Sequence, residues 1–225
     1  GASGSLAVAG LGLTASVTVA VNSDSLSFTT PAANANIPLN TLRSFTVHWT
    51  QSGVGVANQP ISFATTRGCI NPAGTVCTGQ SSTATVNTNA SGDATVPLLS
   101  DNAGGATVTA TTAGGLTANL TAQFIATVAA SIDVQPSAFV LAPNDQSTIS
   151  AIVRDANNNL VTGATVVFSL NDVTGGTLTT ASAKTDLEGR AQTVYTAGTV
   201  TSAASGVQIT ATVQNKPAVT KTVGL

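Results

Sequence analysis

Charge is nearly missing from this sequence. Lys and Arg together number 7 and Asp and Glu 9 among 225 residues, so 7% of positions are charged and the net charge is -2, where an ordinary soluble domain carries about 25%. A chain so poor in Lys and Arg has no basic footprint for nucleic acid, and none is expected as a partner. It also lacks the polybasic segment that an anionic lipid surface would attract. Aromatic residues are scarce as well, with six Phe, one Trp and one Tyr, which leaves Val, Ile, Leu and Ala to fill any interior. The single His cannot supply a base, an orienting group and a nucleophile together, so no enzymatic activity is expected and no cofactor is implied. Apolar runs stay below the roughly 18 residues that span a bilayer, and no charged region precedes an apolar core at the start. Met is absent, which predicts that the chain begins inside something longer or after processing. Disorder is excluded in turn, because 42% of residues are hydrophobic and net charge is small.

What is present is alternation. Ala106–Thr111 and Val207–Thr212 alternate apolar and polar residues, as does Leu116–Phe124, and no stripe with helical period persists. β-branched residues dominate these runs, and clusters of Gly, Asn, Asp and Pro interrupt them every 8 to 12 residues or so, as in an antiparallel sandwich. The chain should be all β.

The sequence also repeats. Phe45, Val47 and Trp49 fall on Ile149, Ala151 and Val153; Ile61 and Phe63 on Val166 and Phe168; TNASGDA (88–94) on TDLEGRA (185–191); and Ala106, Val108 and Ala110 on Val207, Ile209 and Ala211. Two copies of one domain are expected, at 24–128 and 129–225. Gly12–Val21 resembles Gly115–Phe124, so residues 1–23 are expected to be the last hairpin of a preceding copy, or a strand-addition segment. The link FIATVAASI, ending at Ile132, has no Gly or Pro and predicts a semi-rigid connection. Gly92 lies 29 positions after Phe63, whereas Gly189 lies 21 after Phe168; the first copy therefore carries about eight extra residues, expected to hold both cysteines.

Several stretches invite a chemical reading. Lys184–Thr193 gathers Asp186, Glu188 and Arg190, yet it falls on TNASGDA, where only the Thr, the Asp/Asn, the Gly and the Ala persist. Asp or Asn followed three residues on by Gly is turn chemistry, so a hairpin turn with solvated charges is expected. Arg154–Gly163 echoes a calcium loop with Asp155, Asn157 and Asn159, but Leu160 replaces the required Gly and Val166 the bidentate Glu, so a strand-connecting turn is expected. Cys69 and Cys77 lack further ligands for zinc, since His48 is far away in sequence; a disulfide between them would staple an insertion and imply an oxidising compartment. Trp49 shares its face with Phe45 and Val47 and is expected in the core, with His48 on the outer face. Asn89 and Asn119 begin glycosylation sequons of the N-x-S/T type.

VRDANNNLVTGATVVFSL, GGTLT, KTDLEGRAQTVY and GVQITATV together resemble the group 1 bacterial immunoglobulin-like domain of intimins and invasins. The resemblance runs through 129–225; 24–128 is similar but divergent, with SGVGVANQP at the first turn and the cysteine-bearing insertion outside the pattern. It implies tandem Greek-key sandwiches of about seven strands each, serving as beads of an extracellular stalk. The expected cores are Phe45, Val47, Trp49, Ile61, Phe63, Val96, Leu98 and Val108, and Ile149, Val153, Val166, Phe168, Tyr195 and Ile209. The expected function is a structural spacer in a bacterial cell-surface or secreted adhesin. Its partners would be neighbouring domains of the same chain and, beyond them, a host-cell or bacterial surface protein or glycan. Two rivals remain: a self-associating fibre subunit that uses residues 5–21 for strand addition, and a glycan- or protein-binding module that uses its end loops.

Overall fold

The computed structural model describes residues 3–10, 13–20 and 23–225 apart from 75 and 204, the first two segments as backbone strands. Among them there is no helix, in agreement with the period-two pattern. The chain divides into two compact units, Gly1–Gln123 and Phe124–Leu225.

The first unit opens with β1 (Ser3–Gly10) and β2 (Leu13–Ala20), which pair along their whole length, Ser3 with Ala20 through Gly10 with Leu13, as a two-stranded sheet of their own. Ten strands follow: β3 (Asp24–Thr30), β4 (Ala35–Pro38), β5 (Arg43–Gln51), β6 (Val54–Gly55), β7 (Pro60–Thr65), β8 (Cys69–Ile70), β9 (Thr83–Asn87), β10 (Asp93–Leu99), β11 (Gly104–Thr112) and β12 (Thr117–Ile125). One sheet has the order β3-β5-β10-β8, with β6 paired to β5, and the other β4-β12-β11-β7-β9. Non-consecutive neighbours of this kind are the mark of Greek-key connection. The faces meet through Leu26, Phe45, Val47, Val96 and Leu98 from one sheet and Ile61, Phe63, Val108 and Ala110 from the other, all buried. Phe28 and Phe63 touch edge to face across the gap, with ring centroids 6.4 Å apart.

The second unit holds β13 (Ser131–Pro136), β14 (Gln146–Arg154), β15 (Thr165–Asp172), β16 (Thr177–Leu178), β17 (Ser182–Lys184), β18 (Arg190–Thr196), β19 (Val207–Val213) and β20 (Thr220–Gly224). Its sheets run β13-β14-β18-β16 and β17-β15-β19-β20. Ile149, Ala151, Val153, Ala191 and Tyr195 face Val166, Phe168, Ile209 and Ala211, again all buried. Among the described residues, eight strands here and ten in the first sandwich exceed the expected seven, because short ladders of two to four residues, such as β6, β8 and β16, add to the long ones.

The scarcity of charge has a structural counterpart on the outward faces. Hydroxyls of facing strands bond to one another, Thr46 to Thr95 at 2.8 Å, Ser62 to Thr85 at 3.2 Å, and Thr210 to Thr222 and Thr212 to Thr220 at 2.7 Å each. Such cross-strand pairs do the work that opposite charges do on most sheets.

Candidate functional sites

The charged stretch Lys184–Thr193 is a turn, and its mate in the first copy has the same bonds. The Asp186 carboxylate accepts from the N–H groups of Glu188 (3.0 Å) and Arg190 (2.9 Å), and Asn89 Oδ1 accepts from Ser91 and Asp93 (2.9 Å each). Glycine closes both turns with positive φ, +88° at Gly92 and +66° at Gly189. Its carbonyl then accepts from the neighbouring sheet strand, from Trp49 N–H at 2.9 Å and from Val153 N–H at 2.8 Å. A side chain would not fit there: a Cβ on Gly92 would lie 2.4 Å from the Trp49 carbonyl oxygen, and one on Gly189 2.8 Å from that of Val153. The persistent Thr is buried beside the turn, where Thr88 Oγ1 accepts from Gln59 N–H (3.0 Å) and Thr185 Oγ1 from Ala164 N–H (2.9 Å). The expectation of a hairpin is corrected, since β17 pairs with β15 whereas β18 pairs with β14 and β16, so the turn carries the chain from one sheet to the other. The charges themselves stay solvated, with Arg190 Nε 3.9 Å from Asp186 and both half exposed.

Arg154–Gly163 is built likewise. Asp155 Oδ1 accepts from the N–H groups of Asn157 (2.9 Å) and Asn159 (2.8 Å), Oδ2 accepts from the Asn159 amide (2.9 Å), and Asn158 takes positive φ. The carboxylate is thus engaged by its own loop. Among the described residues no three His, Cys, Asp or Glu side chains cluster as metal ligands.

Cys69 and Cys77 are joined, with Cα atoms 5.4 Å apart. Their positions amend the expected insertion. Cys69 pairs with Leu99 and Ile70 with Leu98, just as Thr177 pairs with Thr196 and Leu178 with Tyr195. Because Leu98 and Tyr195 are equivalent, Cys69 sits on a strand common to both copies, and only Cys77 lies in the extra length between β8 and β9. The bond ties that loop to the sandwich, and Cys77 N–H donates to the Asp101 carboxylate at 3.2 Å.

His48 and Trp49 separate as the alternation requires. His48 Nδ1 lies 2.7 Å from Asp93 Oδ1 on the facing strand. Trp49 lies beyond Phe45 and Val47 and is only partly buried, and among the described residues its indole N–H has no hydrogen-bond partner.

One polar cluster in the second unit has no sequence signature. The Asp172 carboxylate accepts from Thr174 N–H (2.6 Å), Gly176 N–H (2.5 Å) and the Tyr195 hydroxyl (3.0 Å). The Thr174 hydroxyl is 3.1 Å from that of Tyr195 and accepts from Gly198 N–H at 3.3 Å. Burial pushes the Asp172 pKa up, but the bonds from Thr174, Tyr195 and Gly176 outweigh it and hold the carboxyl below its ordinary value. Burial, with the Asp172 charge adding to it, raises that of the Tyr195 phenol. Residues 23 positions apart form this knot across two sheets, which is why only coordinates reveal it. Above it opens a cavity of about 660 Å³ lined by Phe139, Val140, Leu141, Tyr195, Val207 and Leu225, among others.

Two facing Greek-key sheets around an aliphatic core, with loops gathered at the ends, define each unit as an immunoglobulin-like β-sandwich. Residues 130–224, most of the second unit, match the family model of the bacterial Ig-like domain (group 1). Solved structures resemble the chain over most of its length. The D0-D1 domain of intimin is 26% identical, with 90% of this chain and 96% of that one covered at a TM-score of 0.35. Invasin, a bacterial integrin-binding protein, is 19% identical with 92% and 39% covered at 0.38. FdeC, an Escherichia coli adhesin, is 15% identical with 95% and 68% covered at 0.46. The chain thus spans about two fifths of the invasin structure.

Proposed function

We propose that the chain is a structural segment of a bacterial cell-surface or secreted adhesin, in which tandem Ig-like domains act as spacers and residues 1–23 are the last hairpin of a preceding copy. The observation that carries this reading is the duplication: the same turn, with the same buried Thr and the same glycine seated on the same strand, closes both sandwiches. Repeating a complete sandwich adds length without adding a reactive site. The disulfide supports a location outside the cytoplasm. Contact with a host-cell or bacterial surface protein or glycan would then fall to another part of the molecule. Glycan arrays and pull-downs with the 225-residue chain should accordingly show no specific binding. Binding that disappears when residues 68–78 are replaced by the shorter second-copy loop would instead assign recognition to the Cys69–Cys77 loop.

A second reading has its own support, because β1 and β2 form a sheet separate from the sandwich that follows. In a fibre subunit that hairpin would complete a sheet of the next molecule by strand addition. Sedimentation separates the two. Polymers that vanish on removal of residues 1–21 would favour the fibre, and a monomer with and without them the spacer.

A further inference from the structure

The chain crosses the first sandwich from one end to the other. It enters at Asp24, opposite Gln51, and β3 runs from there along β5. β7 starts at that same end, where Val56 N–H donates to Trp49 O (3.0 Å) and Thr88 N–H to Gln59 O (2.9 Å). β11 pairs antiparallel with β7 and so returns to the entry end, with Thr112 opposite Ile61. After the turn closed by Thr112 N–H on Leu116 O (2.9 Å), β12 runs away again and leaves the sandwich at Ile125. Entry and exit therefore lie at opposite ends, and the chain continues on both sides, from β2 before and into β13 after.

Strand β4 lies between these two in the load path. After β3 the chain changes sheets, and β4 is hydrogen-bonded to β12. Just before β4, Asn34 N–H donates to Thr121 O at 2.7 Å, and the Thr121 hydroxyl donates to Asn34 Oδ1 at 2.6 Å. Just after it, Asn40 N–H donates at 2.9 Å to the carbonyl of Ser100, which follows the exit end of β10. β4 thus runs toward the exit, parallel to β12, and Ile37 at its centre is buried in the core.

We infer that β4 and β12 form a tension clamp, which makes the first sandwich a load-bearing element. Tension along the chain draws β4 toward the entry, through Asn34 and β3, and draws β12 toward the exit. Parallel neighbours drawn in opposite directions must slide past each other, so the hydrogen bonds that lie across them share the load instead of opening one at a time. Ile37 and the paired Asn34–Thr121 bonds resist as well, because they must move with β4. The rest of the sandwich, β7 and β11 included, stays folded until β4 gives way. The use of such a clamp rests on the spacer reading, since a spacer transmits whatever pull acts on its two flanks; the clamp itself rests on the topology alone.

The test pulls the 225-residue chain by its two ends and reads the unfolding rate at constant force. The first sandwich is recognised by its disulfide, because opening Cys69–Cys77, 8 positions apart, should lengthen its extension by about 25 Å. Ile37→Ala and Ile61→Ala remove the same atoms from buried sites, one on the drawn strand β4 and one on β7. Urea unfolding without load measures how much stability each change removes. Under load, Ile37→Ala should speed unfolding by about tenfold or more and Ile61→Ala by less than about threefold, because contacts already broken at the barrier set the rate and those still intact do not. Should an alanine variant not fold, Ile37→Val and Ile61→Val should keep the same order. An Ile37 variant that unfolds no faster than the parent, equal acceleration at both sites, or the larger effect at Ile61 would overturn the clamp, and would leave the spacer reading to be decided by the binding and sedimentation experiments.

Discussion

Gly92 and Gly53 both adopt positive φ, +88° and +81°, in the same sandwich, yet alanine should affect them very differently. Among the described residues nothing lies within 4 Å of a Cβ built on Gly53, so Gly53→Ala carries only the left-handed backbone cost, about 1 kcal/mol. A Cβ on Gly92 would lie 2.4 Å from Trp49 O and 2.9 Å from both Gly55 Cα and Val56 N, all backbone atoms that cannot rotate away. The turn would have to lift, straining or breaking the bond from Trp49 N–H to Gly92 O, worth about 1 kcal/mol, with overpacking adding about 1–2 kcal/mol. Gly92→Ala should therefore destabilise the first unit by about 3–4 kcal/mol in all. Urea unfolding followed by Trp49 fluorescence measures it, because the single Trp lies in this unit. A Gly92→Ala variant within about 0.5 kcal/mol of Gly53→Ala would refute the idea that close approach to the neighbouring strand, rather than φ, fixes this glycine.

Four further outcomes can be checked alongside it. Asp186→Ala removes the acceptor of two N–H groups and should lower the stability of the second unit by about 1–2 kcal/mol, whereas Arg190→Ala should stay within about 0.5 kcal/mol of the parent in urea unfolding. Tyr195→Phe removes a hydroxyl bonded to a carboxylate and should cost the same unit about 1.5–2 kcal/mol, read by far-ultraviolet melting. Because the folded pKa of Asp172 lies below the ordinary 3.8, its carboxylate stabilises the fold above that value and loses this contribution as pH falls through the folded pKa. The melting-temperature gap between parent and Asp172→Asn should therefore close in acid, and a gap independent of pH would contradict the assignment. Reducing Cys69–Cys77 opens a short loop and should weaken the first unit by about 2.5 kcal/mol, read by Trp49, while leaving the Tyr195 transition in place.

Local chemistry and global pairing were legible to different degrees in this chain. Alternation exposed the strands, and core positions such as Phe45, Val96, Phe168 and Ile209 could be read one by one, because inward residues recur at every second place. The Asp/Asn-to-Gly spacing revealed both turns. Their sheet-switching did not show, since five residues closed by an Asx turn look alike whether the flanking strands pair with each other or with different partners. Trp49 followed its face correctly but sits near the rim, a matter of sheet width that periodicity does not encode. The Asp172–Thr174–Tyr195 knot and the strand β4 depend on contacts between distant segments.

The hydroxyl-paired outer faces carry one more consequence. An exterior tied together largely by neutral dipoles leaves little for dissolved ions to screen, because Debye shielding acts on charges and these are few. Between dilute buffer and about 0.15 M sodium chloride the two sandwiches should therefore keep nearly the same folding midpoint.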